Sequence, residues 1–533
     1  MKFILKHIFT IISIIVILIS LNEAWKLRWL CDDAFISFTY ARNLFEGKGL
    51  VFQLGENVEG YSNFLWTIIL SFSLFFTKNI MLTSQILGII SYVSLLIYFY
   101  IKERTLRPFA NLPLFLLHLS FFYHAWVFAT SGLETMMYTL FVTMGLVEWR
   151  NQSMGEGESK INDTNRNLLI GFLFLLASIT RPDGALFLGF FFVSLWKMKK
   201  KLSTYLPIVG FIFFLIWRYN YYGDFLPNTY YAKADSRSYF SQGLMYFLYW
   251  MRVYPMYFPL LMISIFSLFR LFTNRLGNIA LVLSVHNYIF YVIYVGGDFM
   301  AMRFWLPIIP YLSWQVYIEF SNKMDSLQIE SNQITTVNRI ITKNLVLLQF
   351  LFIISLAVYL DPFKNQENNN ILINEIGEER NFYKNSLASG LGYDLEALNN
   401  FKVAFFGAQA HFIFFMRPMY AWEAETGLTD KELAHRKKLN FGRIGHSNSG
   451  NVEGLKSRDI ELILDNRFPE QNFPEIQFTF RDFQWKIYVR KYNPEKFQKL
   501  CQRPGWNCQS FYAYLNENKF NSSYDHVFGK SEN

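Results

Sequence analysis

Long apolar runs fill the first two thirds of this 533-residue chain and restrict it to a membrane architecture. Aromatic residues make up 19% of the sequence, a content that is typical of membrane proteins and rare in soluble domains. Because a helix needs about 20 mostly apolar residues to cross a bilayer, we predict an α-helical polytopic membrane protein. The eleven expected spans are 3–21, 80–101, 109–127, 133–149, 168–180, 184–197, 203–219, 255–270, 277–295, 304–320 and 344–360.

The positions of Lys and Arg predict how these spans are oriented. The chain has a formal net charge of +9, but its basic residues form no continuous stripe, so we expect no nucleic-acid partner. With eleven spans, the basic clusters all fall on the side of the N-terminus, which the positive-inside rule places in the cytoplasm. These clusters lie at 102–107, 150–166, 197–201, 270–275 and 323–343.

Two further apolar segments are expected to lie at the membrane surface. Residues 62–77 are apolar enough to cross, but crossing there would place the basic cluster 102–107 outside. We therefore predict an interfacial or half-inserted helix within the first outer loop, 22–79, and a similar helix over 239–253. The first apolar run is expected to be a retained anchor, because Asn22-Glu23-Ala24 is a poor cleavage site for a signal peptide.

The character of the sequence changes after residue 360. Residues 361–533 contain no spanning run, and we predict that they form a soluble, mixed α/β domain behind a membrane domain over 1–360. Lys402–Phe406 has the pattern of a buried strand, and Ile476–Phe480 with Trp485–Tyr492 alternates as a β-hairpin does.

The three cysteines are too few for a disulfide framework. After an odd number of spans, the C-terminal domain lies outside the cytoplasm, where Cys501 and Cys508 can form a disulfide. Cys31 then remains a lone thiol or a small apolar residue.

Two adjacent carboxylates, Asp32 and Asp33, follow the first apolar run. An acidic residue at mid-bilayer costs roughly 3 kcal/mol, whereas one at the rim avoids most of that cost and still faces the membrane. An enzyme with a lipid-anchored substrate needs its base at that rim. The alternative is that both acids simply cap the following helix, where they suit its dipole.

Under the predicted topology, the unusual polar residues of the membrane domain collect on its outer face. Five outer segments carry them, whereas unrelated structural charges would be spread over both faces. The clustering favours a functional site on that face. The polar residues include Asp32, Asp33, Arg42, Glu59, Tyr61, Asn63, Glu134, Arg181, Asp183, Asn228, Lys233, Asp298 and Arg303.

Several of these segments resemble GT-C polytopic glycosyltransferases. The first-loop stretches 32–44, 49–52 and 55–66 are similar to the family signature, and the resemblance is strongest to the branch that contains the mycobacterial terminal β-(1→2)-arabinofuranosyltransferase family. The same order continues along the chain. Further matching segments are 180–184, 227–233, 297–304 and, in the C-terminal domain, Gly442-Arg443-Ile444-Gly445-His446.

The resemblance implies a monosaccharide donor linked to polyprenyl phosphate and used on the outer face of the bacterial cytoplasmic membrane. It implies inverting transfer to a cell-envelope glycan or glycolipid, and a pentose such as arabinofuranose is one candidate sugar. A carboxylate removes the proton from the acceptor hydroxyl. By this resemblance Asp32 is the first choice for the base, and Asp33 either replaces it or orients a donor hydroxyl.

The resemblance and the residue chemistry suggest further roles. Basic residues that can hold the donor phosphate are Arg181, Lys233, Arg303 and Arg42. Polar residues that can hold the sugar or the acceptor are Glu134, Tyr61, Asn63, Asn228, Asp298 and His446. The sequence identifies no cofactor with certainty, and metal use is left open. Mg²⁺ or Ca²⁺ is an option because carboxylates suit these ions; the candidates are Asp32, Asp33, Glu134 and Asp298.

Two other functions compete with this one. A transporter or flippase of lipid-linked sugars also has many spans and charged membrane residues, although we find no convincing repeat between the two halves of the membrane domain. A ligase that moves a whole glycan uses the same outer face but a pyrophosphate-linked donor.

Overall fold

The computed structural model describes residues 2–108, 112–154, 163–197, 201–233, 239–255, 276–318, 376–383, 395–436, 449–480 and 483–530. Three predictions lie wholly or largely outside these residues: the spans 255–270 and 344–360, and the domain boundary after residue 360.

The N-terminal part of the described chain is helical. Its helices are α1 (Lys2–Lys26), α2 (Asp32–Phe45), α3 (Phe64–Ser73), α4 (Ile80–Leu106), α5 (Leu114–Ser120), α6 (Tyr123–Ala129), α7 (Thr135–Met154), α8 (Asp163–Thr180), α9 (Gly184–Lys197), α10 (Leu206–Tyr222), α11 (Asn228–Lys233), α12 (Phe240–Val253), α13 (Leu276–Tyr294) and α14 (309–318).

Three helices among the described residues are long and apolar enough to cross a membrane, rather than the eleven expected. They lie at His7–Lys26, Ile80–Leu106 and Leu202–Tyr222, and they expose apolar side chains such as Ile15, Ile90 and Phe213. Shorter apolar helical segments, of 10–17 residues, lie in α3, α8, α9 and α13, at Phe64–Ser73, Thr164–Thr180, Gly184–Trp196 and Ile279–Tyr294. These apolar helices indicate a membrane protein, but they do not confirm the prediction of eleven spans.

The expected span 109–127 is not one helix in its described part. Two seven-residue helices, α5 and α6, replace it, and they are separated at Phe121 and Phe122. The break is stabilised because the carbonyl of Ser120 accepts hydrogen bonds from Ser20 Oγ and Trp126 Nε1, both at 2.8 Å. The Ser20 and Trp126 side chains thus provide hydrogen bonds to a carbonyl that, in a continuous helix, would accept one from a backbone nitrogen.

The expected span 304–320 also begins irregularly. Residues 301–308 form turns, and helix α14 follows. Two tyrosines hold the turn at Phe304: Tyr246 Oη accepts from its backbone nitrogen at 3.2 Å, and Tyr288 Oη donates to its carbonyl at 2.9 Å.

The two helices predicted for the membrane surface are present as α3 and α12. Helix α3 spans 10 residues, and Phe72, Phe75 and Phe76 at its C-terminal end are 62–78% exposed. Helix α12 buries one side, with Tyr246 and Trp250 fully buried. Both helices are too short to cross a bilayer.

The C-terminal part is an α/β region, as predicted. Strands β1 (Lys402–Phe405), β2 (Tyr420–Glu423), β3 (Leu462–Ile463), β4 (Glu475–Phe480), β5 (Phe483–Val489) and β7 (Trp506–Asn507) form a mixed sheet in the order β2-β1-β3-β5-β4-β7. Strand β1 is parallel to β2 and β3, and the remaining pairs are antiparallel. Strands β6 (Lys491–Tyr492) and β8 (His526–Val527) form a second small sheet.

The predicted strand and hairpin of this region are confirmed. Lys402–Phe405 is a central strand, and β4 pairs with β5 from Glu475–Tyr488 to Phe480–Phe483. Cys501 and Cys508 form a disulfide, and Cys31 is free and buried. The helices here are α15 (Glu379–Tyr383), α16 (Ala410–Met416), α17 (Lys431–Ala434), α18 (Val452–Ser457), α19 (Pro494–Cys501) and α20 (Gln509–Glu517).

The α/β region packs on the segment that follows α1. Phe35 of α2 contacts Phe414 of α16 with ring centroids 5.6 Å apart, and Phe52 stacks on Phe405 of β1. Gln53 Oε1 accepts a hydrogen bond from the backbone nitrogen of Ala421. This packing places the C-terminal part of the chain beside the residues that follow the first helix.

Candidate active site

A cavity of about 320 Å³ lies where the segment that follows α1 meets the ends of several helices. Helix α2, the loop before α3, the start of α7 and the turn between α8 and α9 supply its polar wall. The residues before and within α11, the end of α13 and the turns before α14 supply the rest. The lining includes Asp33, Ser37, Tyr61, Asn63, Glu134, Arg181, Asp183, Tyr230, Tyr291, Asp298, Phe299, Arg303, Phe304 and Leu428.

Five charged residues form what we call the arginine cluster: Glu134, Arg181, Asp183, Asp298 and Arg303. Glu134 Oε1 lies 2.8 Å from Arg181 Nη1 and 3.3 Å from Arg303 Nη2, so one carboxylate oxygen joins both guanidinium groups. Asp183 pairs with Arg181 at 3.0 Å, and Asp298 lies 3.7 Å from Arg303. All five side chains are buried.

The other oxygen of Glu134 is also bound. Asn63 Nδ2 donates to Glu134 Oε2 at 2.8 Å, and Asn63 Oδ1 accepts from Ser37 Oγ at 2.9 Å and Thr67 Oγ1 at 3.1 Å. This chain of bonds fixes the Glu134 side chain from α2 and α3. Both oxygens of Glu134 are therefore bound by neighbouring side chains, and its contact with a sugar stays a prediction.

The two adjacent aspartates point to different parts of the molecule. Asp33 is half-buried and lines the cavity, within electrostatic reach of Arg303. Asp32 is not among the lining residues. Its oxygens accept hydrogen bonds from the backbone nitrogens of Ala410 and His411, both at 3.0 Å, and His411 Nδ1 lies 2.7 Å from Asp32 Oδ1.

Two other candidate residues also bind the α/β region instead of the cavity. Arg42 Nη1 donates to the carbonyl of Phe414 at 2.6 Å, and the Arg42 guanidinium lies over the Phe414 ring. Burial lowers the pKa of Arg42 to about 10. Asn228 Nδ2 donates to the carbonyls of Gly427 and Leu428 at 2.7 and 2.9 Å. Neither residue lines the cavity.

Tyr61 lines the cavity as expected, but its hydroxyl lies 3.1 Å from that of Tyr222. The side chain of Lys233 and the whole of the segment around His446 lie outside the described residues. The structure therefore brings together Asp33, Tyr61, Asn63, Glu134, Arg181, Asp298 and Arg303 from the sequence prediction.

Sequence reasoning gave no role to several lining residues. Asp183 stands in the Arg-Pro-Asp-Gly turn, two residues after Arg181, and this spacing could have predicted their ion pair. Ser37 lies one helical turn after Asp33 and shares its face of α2. Leu428 carries no signal in the sequence, because nothing local indicates that a loop of the α/β region reaches the cavity.

The cavity has more negative than positive charge. Four carboxylates line it, from Asp33, Glu134, Asp183 and Asp298, against two guanidinium groups. Within the part of the chain that the structure describes, no group of three or more His, Cys, Asp and Glu side chains is arranged to hold a metal ion. Three of the four carboxylates contact an arginine, which leaves Asp33 as the one not assigned to the arginine cluster.

Comparison with known proteins finds distant relatives that are glycosyltransferases by name. The chain is 27% identical over 260 residues to the terminal β-(1→2)-arabinofuranosyltransferase of Mycobacterium tuberculosis, covering 45% of this chain and 40% of that protein. It is 26% identical over 330 residues to the protein of the same name from Corynebacterium glutamicum, covering 52% and 46%. The chain thus spans less than half the length of these curated relatives. No family model matches it, and no solved structure does.

Proposed function

We propose that this protein is an integral membrane glycosyltransferase that transfers a monosaccharide from a polyprenyl-phosphate donor to a glycan or glycolipid of the cell envelope. The cavity carries this proposal, because one carboxylate outside the arginine cluster, Asp33, lines it together with two buried arginines. The relatives, named arabinofuranosyltransferases, support a pentose such as arabinofuranose as the sugar.

In the proposed reaction, Asp33 is the general base. The acceptor oxygen forms a bond to the anomeric carbon of the donor while the bond from that carbon to the phosphate oxygen breaks. The acceptor proton passes to the Asp33 carboxylate, and the lipid phosphate leaves with the bonding electron pair. Attack from the face opposite the phosphate inverts the anomeric carbon. General-base assistance of this kind contributes about 10²–10⁴ in rate.

Arg181 and Arg303 bind the phosphate in this proposal. Guanidinium groups suit phosphate oxygens because they offer several donors in a fixed plane. Arg303 Nε has no hydrogen-bond partner among the described residues, so a donor remains for a phosphate oxygen. Glu134 lies between the two arginines and offsets the repulsion of two like charges held close together.

We also propose that the cavity and the α/β region face the outside of the cytoplasmic membrane. The positive-inside distribution of Lys and Arg supports this orientation. The Cys501–Cys508 disulfide supports it independently, because disulfides persist in oxidising compartments and are rare in the cytosol.

The test is sugar transfer in membranes from a panel of radiolabelled polyprenyl-phosphate sugars. We expect Asp33→Asn to lower transfer by about 10²–10⁴-fold, as loss of a general base does, at unchanged protein level. Asp32→Asn is the matched control, because the same substitution one residue away removes a docking contact. Its transfer per folded molecule stays within about tenfold of wild type.

Three outcomes would contradict the proposal. Equal transfer by wild type and Asp33→Asn would exclude Asp33 as the base. Transfer of a whole glycan from a pyrophosphate carrier, without transfer from any monophosphate donor, would favour the ligase. Movement of the lipid-linked sugar across the membrane without a new glycosidic bond would favour the transporter.

A further inference from the structure

A loop of the α/β region forms part of the cavity wall. Residues 424–430, which we call the wall loop, connect β2 to α17. Leu428 from this loop lines the cavity, together with residues from the helical part of the chain. The cavity wall therefore includes a residue that lies 200 positions after Asn228, the first residue of α11.

The wall loop is organised by the buried carboxylate of Glu423. Its Oε1 accepts hydrogen bonds from the backbone nitrogens of Glu425 and Thr426, at 3.1 and 3.0 Å. Its Oε2 accepts from the Thr426 hydroxyl at 2.7 Å and from the Leu428 nitrogen at 2.8 Å. A carboxylate that collects four donors gives the loop one preferred shape.

The helical part of the chain holds the loop at two points. Asn228 Nδ2 donates to the carbonyls of Gly427, Leu428 and Asp430, at 2.7, 2.9 and 3.4 Å. Gly60 lies beside this contact, because the Asn228 nitrogen donates to the carbonyl of Glu59 at 3.0 Å. A Cβ atom at Gly60 would lie 2.8 Å from the Leu428 carbonyl, so the backbone packs closely there. Residues 59–60 and the start of α11 therefore hold the loop together at Leu428.

Leu428 is the loop residue that faces the cavity. Its neighbours Gly427, Thr429 and Asp430 are buried, whereas Leu428 is half-buried. An aliphatic side chain has no group that bonds a sugar hydroxyl, so it acts on a ligand only through shape and size. Leu428 belongs to the α/β region, which the proposed function places outside the membrane. A water-soluble glycan arrives from that side, while a lipid-anchored donor arrives from the membrane.

We infer that Leu428 is a specificity-determining residue for the acceptor and that Asn228 is the positioning residue that holds it in place. This inference rests on the proposed function. Leu428 closes the acceptor side of the cavity, and acceptors with a branch or a bulky residue next to the reacting hydroxyl meet its side chain. Asn228 acts through the backbone of the wall loop and contacts no substrate.

The first experiment compares Leu428→Ala, Leu428→Trp and Leu428→Met in the full-length protein in membranes. Transfer is measured from a polyprenyl-phosphate sugar to a linear and to a branched octyl furanoside. Because pocket contacts of this size change discrimination by about 10–200-fold, we expect Leu428→Ala to raise kcat/KM for the branched relative to the linear acceptor at least tenfold. Leu428→Trp shifts the ratio the other way, and Leu428→Met leaves it unchanged.

Two controls keep this result specific. The donor KM stays within about twofold of wild type in all three variants, since the donor arrives from the other side. A ratio of branched to linear transfer that is the same in wild type, Leu428→Ala and Leu428→Trp would overturn the assignment of Leu428.

A second experiment does not depend on transfer. Cys31 is buried, burial raises its pKa well above its usual value, and Cys501 and Cys508 are joined, so the natural chain offers no reactive exposed thiol. Leu428→Cys then introduces a single site for a membrane-impermeant maleimide. We expect slow labelling, a rate at least several-fold higher when Asn228→Ala is added, and protection by the octyl furanoside.

This labelling separates the two proposals. If the wild type transfers no sugar but the octyl furanoside protects the introduced thiol, the proposed function fails and the assignment of Leu428 to a glycan site stands. No protection by either furanoside would overturn the role of Leu428. A labelling rate that Asn228→Ala leaves unchanged would overturn the positioning role of Asn228.

Discussion

The arginine cluster and the contacts that dock the α/β region use the same residue types for different purposes. In the arginine cluster, the carboxylate of Glu134 joins two guanidinium groups across the cavity wall. At the docking contacts, the carboxylate of Asp32 binds backbone nitrogens and His411 of a distant segment. Asp32 and Asp33 are neighbours in sequence, yet only Asp33 lines the cavity. A residue next in sequence to a cavity-lining residue can therefore belong to a different contact.

The largest expected effect is that of Glu134→Gln. The amide keeps the size of the side chain but leaves two buried arginines without their shared carboxylate, and breaking a buried ion pair costs about 3–5 kcal/mol. We expect both a lower unfolding temperature and a loss of transfer of roughly 10²-fold or more, comparable to removing a preorganised charge. Thermal unfolding in detergent and the transfer assay measure the two effects.

Glu103→Gln is the matched control for this prediction. Glu103 is equally buried, but it caps α5 by accepting from the nitrogens of Phe115 and Leu116 and from the Tyr317 hydroxyl. It lies outside the cavity lining, so its substitution should lower the unfolding temperature without changing transfer per folded molecule. Equal loss of transfer in both variants would remove the distinction between cavity and scaffold.

Substitutions at the docking contacts should have smaller effects on stability and transfer. His411→Ala removes the ring that lies 2.7 Å from Asp32, and the loss of a hydrogen bond to a charged group costs about 1.5–3 kcal/mol. We expect faster proteolysis of the α/β region and a several-fold loss of transfer. His526→Ala, in the second small sheet, is the control and should leave both unchanged.

Combining the substitutions sharpens this prediction. Because Asp32 and His411 belong to one network, the double variant Asp32→Asn/His411→Ala should lose less stability than the sum of the single variants. Strictly additive losses would mean that the two residues stabilise the protein independently, and the docking contact would then not act as a unit.

The smallest expected effect concerns pH. Burial raises the pKa of Glu59 to about 7, against the opposing effect of Arg218 at 2.9 Å. The folded protein then binds this proton more tightly than the unfolded chain, so the contribution of Glu59 to stability is full at low pH and declines as the pH rises through about 7. Between about pH 5 and 8, the unfolding temperature of wild type should fall by a few degrees more than that of Glu59→Gln. Parallel pH profiles for the two proteins would contradict this.

Local patterns predicted those parts of the fold whose causes are local. Alternation predicted the β4–β5 hairpin, and the apolar run 62–77 predicted a helix where α3 lies. The disulfide followed from the expected compartment of Cys501 and Cys508. The break between α5 and α6 was not predicted, because the groups that stabilise it include Ser20, one hundred residues earlier.

At the candidate site, too, contacts between residues far apart in the sequence were the ones not predicted. Charges that collect on one predicted face did come together as Glu134, Arg181 and Arg303. The roles of Asp32 and Asn228 were not predicted, because their partners lie 379 and 199 residues away in the α/β region. A single sequence shows which side chains are costly to bury, but it does not show which distant backbone groups will form hydrogen bonds with them.

The separation of Asp32 and His411 along the sequence has a consequence for the synthesis of the protein. The two residues are 379 positions apart, so at 5–20 residues per second Asp32 waits roughly 20–75 s for its partner to be made. Leu428 is made later still, and until then one wall of the cavity is missing. A growing chain therefore carries Asp33 and both arginines before it carries the wall loop. The finished cavity appears only with the last fifth of the polypeptide, and a product truncated before Leu428 would lack that part of the cavity wall.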